Sequence, residues 1–195
     1  NMYTTHQPKI AKFARQNPDN LARVEVFVVS TIQRQFYTCA YQMNDIDANG
    51  MKAVSLNGSK RRSYKEIMAT KEYMFNKIFS KDISVAEKLL EVSSIYGIGM
   101  VKAGFILQLC IGKVGCLDVH NLRRYGLTPS VFKVNDKMSD VTALAKANLY
   151  EKTCIDLGGS KHLWDSWCNY VSDLYPITFP TGNDVSRFHV ECIIK

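Results

Sequence analysis

The sequence predicts an all-α fold. Apolar residues recur at helical spacing through one segment after another, and residues that start or stop helices bound those segments. In addition, no strand runs into a glycine-rich phosphate loop anywhere in the 195 residues, and no internal repeat is found.

Residues 1–23 are polar and basic, with Asn17-Pro18 as a helix entry and Asp19 or Asn20 as the cap of the next helix. From 21 to 43 the apolar positions 24, 27, 28, 32, 36 and 40 share one helix face. The valine-rich VEVFVV also suits a strand, and the length of the segment favours a helix. Asp45-Ile46-Asp47-Ala48-Asn49-Gly50 copies the first half of a calcium loop. Its twelfth position is Leu56 where glutamate should close the coordination sphere, so it reads as an Asx- and glycine-rich turn. The run NGSKRRSYK at 57–65 is a basic surface loop or helix start. Helical patterns return at 64–79 and at Val85–Ser93, the second opening on Ser84 and Glu87 spaced as a capping box.

Ile95-Tyr96-Gly97-Ile98-Gly99 then turns the chain into a second apolar segment. Two helices joined by this G-x-G leave free backbone N–H groups at the turn and at the start of the second helix, which together with the helix dipole can hold a phosphate. Many helical hairpins use the same glycines merely to turn. Asp118 follows, with His120, Asn121, Arg123 and Arg124 close behind. Beyond Gly126, Thr128-Pro129 reads as a cap plus first-turn proline. A helix at 140–157 is ended by Gly158-Gly159, and another at 160–174 is stopped by Pro176 and Pro180. Asn183-Asp184 caps a last short helix, VSRFHVECII.

Composition narrows the classes. An apolar fraction of 46% excludes a disordered chain, and the length suits one sizeable core or two small lobes sharing one. The net charge of +7 suits a polyanionic partner and plain solubility equally. No uncharged apolar run reaches the roughly 18 residues of a membrane helix, and the opening residues lack the apolar middle of a signal peptide. The six cysteines form no CxxC pair, so they read as reduced, cytosolic and structural; no metal and no cofactor is expected.

The stretch 84–126 resembles the helix-hairpin-helix DNA glycosylase superfamily, the endonuclease III-like enzymes. Ile95-Tyr96-Gly97-Ile98-Gly99 with Ala103 matches that family's L-P-G-V-G-x-x-x-A, and Leu117-Asp118-Val119-His120 matches its V-D-x-H. Arg124 matches a basic residue several positions on, and Ser30, Gln33 and Gln35 look like its S-x-Q segment. The resemblance implies a two-lobed helical fold: a six-helix lobe over 24–114 ending in the hairpin (85–110), and a second lobe built from 1–23 plus 115–195. It also implies a monomeric cytoplasmic enzyme, of a nucleoid or a virus-infected cell, that flips a base out of duplex DNA.

On that reading Asp118 is catalytic, stabilising an oxocarbenium-like sugar or orienting water. Gly97, Ile98, Gly99, Lys102, His120 and Arg124 contact phosphates, and Gln33, Gln35 and Tyr37 fill or read the gap left by the base. The plain structural readings are a helix N-cap for Asp118, surface positions for the glutamines, and core for Trp164 and Trp167.

Val101 stands where lyase-competent members carry a lysine. Lys102 lies one residue on, turned about 100° away from the cleft, which favours a monofunctional mechanism. The cysteine spacing of an iron–sulfur loop is absent, and Tyr96 replaces the family's common proline. Three functions are therefore weighed: base excision; base modification, as in the phage glutamyl/putrescinyl-thymine pyrophosphorylase-like branch; and an inactive DNA-binding module.

Overall fold

A computed structural model describes all 195 residues. The chain is all-α, with ten α-helices, three short 3-10 turns and no strand. The helices are α1 (Met2–Ala14), α2 (Pro18–Ser30), α3 (Cys39–Asn49), α4 (Ser59–Ile78), α5 (Val85–Ser93), α6 (Met100–Ile111), α7 (Val119–Arg124), α8 (Asp140–Asp156), α9 (Gly159–Leu174) and α10 (Gly182–Ile193).

Two helices form the centre. Nine of the thirteen residues of α2 and nine of the twelve of α6 are buried, so both are covered nearly all round. α4 lies along α2, α5 packs on α6 and α8, and α9 pairs with α10. α1 touches α10, α9, α6 and α2, joining the two ends of the chain to its middle. One contiguous core runs from Ile10 to Ile193 and takes residues from both expected lobes. Within 24–114 there are five α-helices and two 3-10 turns where six helices are expected. No helix is long and apolar enough to cross a membrane.

Several local expectations are corrected. The helix expected over 21–43 is two helices, with a break at 31–35 and a 3-10 turn at Phe36–Thr38. Ser30 Oγ donates to the Phe27 carbonyl and Thr31 Oγ1 to the Val28 carbonyl, each at 2.6 Å, competing with the helical ladder. The Thr31 and Ile32 N–H groups then bond three residues back, tightening the last turn. Gln33 adopts φ +52°, and Phe36 turns into the core. Asn17, not Asp19 or Asn20, caps α2, accepting the Asn20 N–H at 2.8 Å.

The calcium-loop look-alike is not a turn. Asp45, Asp47 and Asn49 lie on α3, where Asp47 pairs with Arg23 and Lys195. α4 begins at Ser59, ahead of the expected 64. Thr128-Pro129 opens only a 3-10 turn. The last helix is capped by Thr181 with Asp184 as its box partner, not by Asn183. The capping box at Ser84 and Glu87 forms as expected.

Candidate active site

The hairpin joining α5 to α6 is held from outside by α4. Ser63 Oγ donates to the Tyr96 carbonyl at 2.6 Å, and Glu66 Oε1 accepts the Tyr96 N–H at 3.2 Å. The Arg62 guanidinium lies 3.8 Å from the centre of the Tyr96 ring. Gly97 has φ +79°, a conformation that favours glycine. Gly99, by contrast, has φ −86° and open space where a side chain would go. The turn therefore does not need glycine at 99; what glycine leaves there is room for something outside the protein.

The N–H groups of Gly97, Gly99, Met100, Val101 and Lys102 meet no protein acceptor, while that of Ile98 bonds the Ile95 carbonyl at 3.0 Å. The groove over this turn is flanked by Arg62 and also by two carboxylates, Glu66 and Asp136.

Asp118 lies on the far side of the first turn of α6. It caps α7, its Oδ1 accepting the Asn121 N–H at 2.8 Å while Oδ2 has no protein partner. Asn121 Nδ2 reaches back to the Cys116 carbonyl at 3.0 Å. Behind the loop, the buried Tyr150 hydroxyl donates to the Gly115 carbonyl at 2.6 Å and accepts the Leu117 N–H at 3.0 Å. Gly104 lets α6 approach this point, since a Cβ there would stand 2.5 Å from the Tyr150 hydroxyl and 2.6 Å from the Gly115 carbonyl.

Asp118 lines a slot of about 230 Å³, smaller than the several hundred Å³ typical of a drug-sized ligand. Aromatic rings wall it: Phe36 from the 3-10 turn, Phe105 from α6, Trp167 and Tyr170 from α9, and Tyr175 just beyond α9. His120 packs on Tyr170 with ring centres 5.3 Å apart. Arg34 and Lys102 line the same slot, Lys102 Nζ donating to Thr31 Oγ1 at 3.2 Å. Cys116 also lines it, and burial pushes its thiol up to about 12; all six cysteines are free and buried. Gln33 and Val114 are the only residues other than glycine with positive φ. They sit in the two segments that deliver Arg34 and Asp118, and a β-branched residue at φ +53° is strained.

The expected site residues therefore separate. Asp118, Lys102 and His120 come together in the slot. Arg124 does not join them; its Nη1 donates to Ser166 Oγ at 3.2 Å. Gly97, Ile98 and Gly99 stay at the hairpin. Gln33, Gln35 and Tyr37 are exposed outside the slot, with Gln33 and Gln35 in the break and not on a helix; Gln35 accepts the Tyr37 hydroxyl.

Two expectations are overturned here. Lys102 does not turn away, because the slot opens on the α2 side of α6 and the end of α2 draws its ammonium in. Trp164 is core and donates to Ser186 Oγ, whereas Trp167 is only partly buried and walls the slot.

Sequence reasoning missed Arg34 and Tyr150, and set Trp167 aside as core. Arg34 sits between the two glutamines singled out, so the segment carried the signal; for Tyr150, one residue in an amphipathic helix, no local pattern exists.

A second, larger cavity of about 670 Å³ lies between the hairpin and the 129–136 segment, with Lys102 as the residue it shares with the slot. No protein-family model, no curated protein and no solved structure matches the chain.

Proposed function

We propose that the chain is a monofunctional DNA base N-glycosylase that takes a flipped nucleotide into the Asp118 slot. One observation carries the reading: a carboxylate with a free oxygen stands among aromatic rings and unpaired cations in a slot below drug-ligand size. Aromatic faces there offer stacking to any base. Asp118 Oδ2 is available either to stabilise positive charge on the sugar or to align water. In the hydrolysis, water oxygen bonds to C1′ as the C1′–N bond breaks, and the electron pair leaves with the base, which is then protonated. The unpaired N–H groups at the hairpin, with Arg62 beside them, support a phosphate contact next to the slot.

The test is alkali-revealed strand cleavage of duplexes carrying damaged or modified bases, wild type against Asp118→Asn. Release that the variant loses is expected. No release from any substrate, or equal release by the variant, ends the proposal. Borohydride should trap no covalent complex; one that forms and disappears in Lys102→Met would overturn the monofunctional assignment.

A second reading is a transferase that modifies the base in place. The cavity beside the slot favours it, being large enough for a co-substrate. Mass spectrometry of treated DNA separates the two, since an abasic site marks excision and a heavier base marks transfer. Binding with a steep salt dependence, no product and no response to Asp118→Asn would instead indicate an inactive binding module.

A further inference from the structure

We infer that the slot also holds a phosphoryl group, gripped by Arg34 and Lys102 with Lys60 behind them. This rests on reading the slot as the substrate site. Arg34 from the break after α2 and Lys102 from α6 line the slot; Lys60 from α4 does not line it but reaches the Ser30 carbonyl, next to the Thr31 hydroxyl that holds Lys102. None of these three cations belongs to any of the chain's seven ion pairs. Of Arg34's five N–H donors none is used, and of Lys102's three only one, to Thr31.

Lys60 is 8% exposed and reaches only the Ser30 carbonyl, at 3.4 Å. Burial above all, with repulsion from Arg34 and Lys102, lowers its ammonium to about 8. The other buried ammonium, Lys88, likewise has no ion pair but is engaged with the Ser80 carbonyl at 2.7 Å, whereas Lys60 makes only its long contact.

The Ser30 carbonyl accounts for Lys60 and the Thr31 hydroxyl for one donor of Lys102, while Arg34 meets no protein acceptor. Asp118 is the only acid lining the slot, and one of its oxygens is committed to the α7 cap. Of the three cations only Lys60 is buried; three like charges facing one remaining carboxylate oxygen repel one another, a cost that an arriving anion lowers. A guanidinium fork next to an ammonium point charge suits the several oxygens of a phosphate. That phosphate has two chemical sources: the diester flanking the flipped nucleotide, or a phosphomonoester or pyrophosphate carried on a base or a small co-substrate.

The experiment is titration of the full chain with inorganic phosphate and with pyrophosphate, followed by NMR of backbone amides and of the Arg34 side chain. Saturable shifts at Arg34, Lys102 and His120 are expected, with affinity at least tenfold weaker in Arg34→Gln or Lys102→Met. Arg34 is exposed, so its variant should fold. Shifts confined to the hairpin or the basic run at 57–65, or slot shifts unchanged in both variants, would overturn the site.

Two arms then identify the source. A duplex with one methylphosphonate beside the target nucleotide loses its dependence on Arg34 if the diester is held. A phosphorylated nucleoside competes with inorganic phosphate if the group travels on the substrate. Failure of both arms also overturns the site. Phosphate binding requires no base chemistry, so its absence leaves the enzymatic reading standing. Intact phosphate binding with no base release or modification does the reverse.

Discussion

Ser63 and Gly97 stand against each other across the hairpin: a Cβ on Gly97 would lie 2.6 Å from the Ser63 Oγ that ties the Tyr96 carbonyl to α4. The two glycines of the turn consequently serve different ends. Gly97→Ala adds a left-handed strain and a clash with that hydroxyl, and should destabilise the fold by about 1–3 kcal/mol. Gly99→Ala meets neither cost and should leave thermal stability near wild type while weakening duplex binding. Melting curves and a binding isotherm on both variants check this; equal loss of stability would refute the division.

Asp118 both caps α7 and is proposed to act on substrate. Asparagine caps a helix about as well as aspartate, so Asp118→Asn should keep stability while abolishing base chemistry. Asp118→Ala should lose the chemistry and about 1 kcal/mol of stability as well. Denaturant unfolding beside the cleavage assay separates the roles. An Asn variant with full activity would reduce Asp118 to a cap.

Tyr150 touches no substrate in the proposed reaction yet positions the carboxylate. Tyr150→Phe strands a buried N–H on Leu117 and a carbonyl on Gly115, at a cost of roughly 1–3 kcal/mol. Activity should fall mainly in kcat, with KM little changed, because the loop bearing Asp118 loosens while the aromatic walls stay. A change in KM alone would contradict this role.

Glu25 on α2 is fully buried with both carboxyl oxygens unpartnered, and burial raises its pKa from 4.5 to about 8. The unfolded chain therefore releases this proton first as pH rises. Stability from this group is greatest below about pH 4.5, falls through the interval and levels off above about 8. The fall is on the order of 5 kcal/mol at most. Urea unfolding at pH 5.5 and 8.5 should show the loss in wild type, and Glu25→Gln should flatten it. An unchanged slope in the variant would exclude Glu25 as its source.

Much of this architecture was legible because its causes are local. The Ser84–Glu87 box, the stop at Gly158 and the turn at 95–99 depend on residues within a few positions of one another, and local hydrogen bonding settles them. The break in the expected 21–43 helix was not legible. Its apolar spacing continues through Ile32 and Phe36, and what ends the helix is hydroxyl back-bonding and a side chain that finds its place in the core.

The sequence by itself determined the all-α class, most helix spans and the order in which a two-glycine turn precedes Asp118, all consequences of spacing along one chain. Only the tertiary structure decided what surrounds that aspartate. Arg34, Trp167 and Tyr150 reach it from α2's broken end, α9 and α8, and Lys102 faces it because α6 packs with that side toward the end of α2. Hydrophobic burial of whole helix faces sets those approaches. It is non-directional and long-range in sequence, so no short pattern records it.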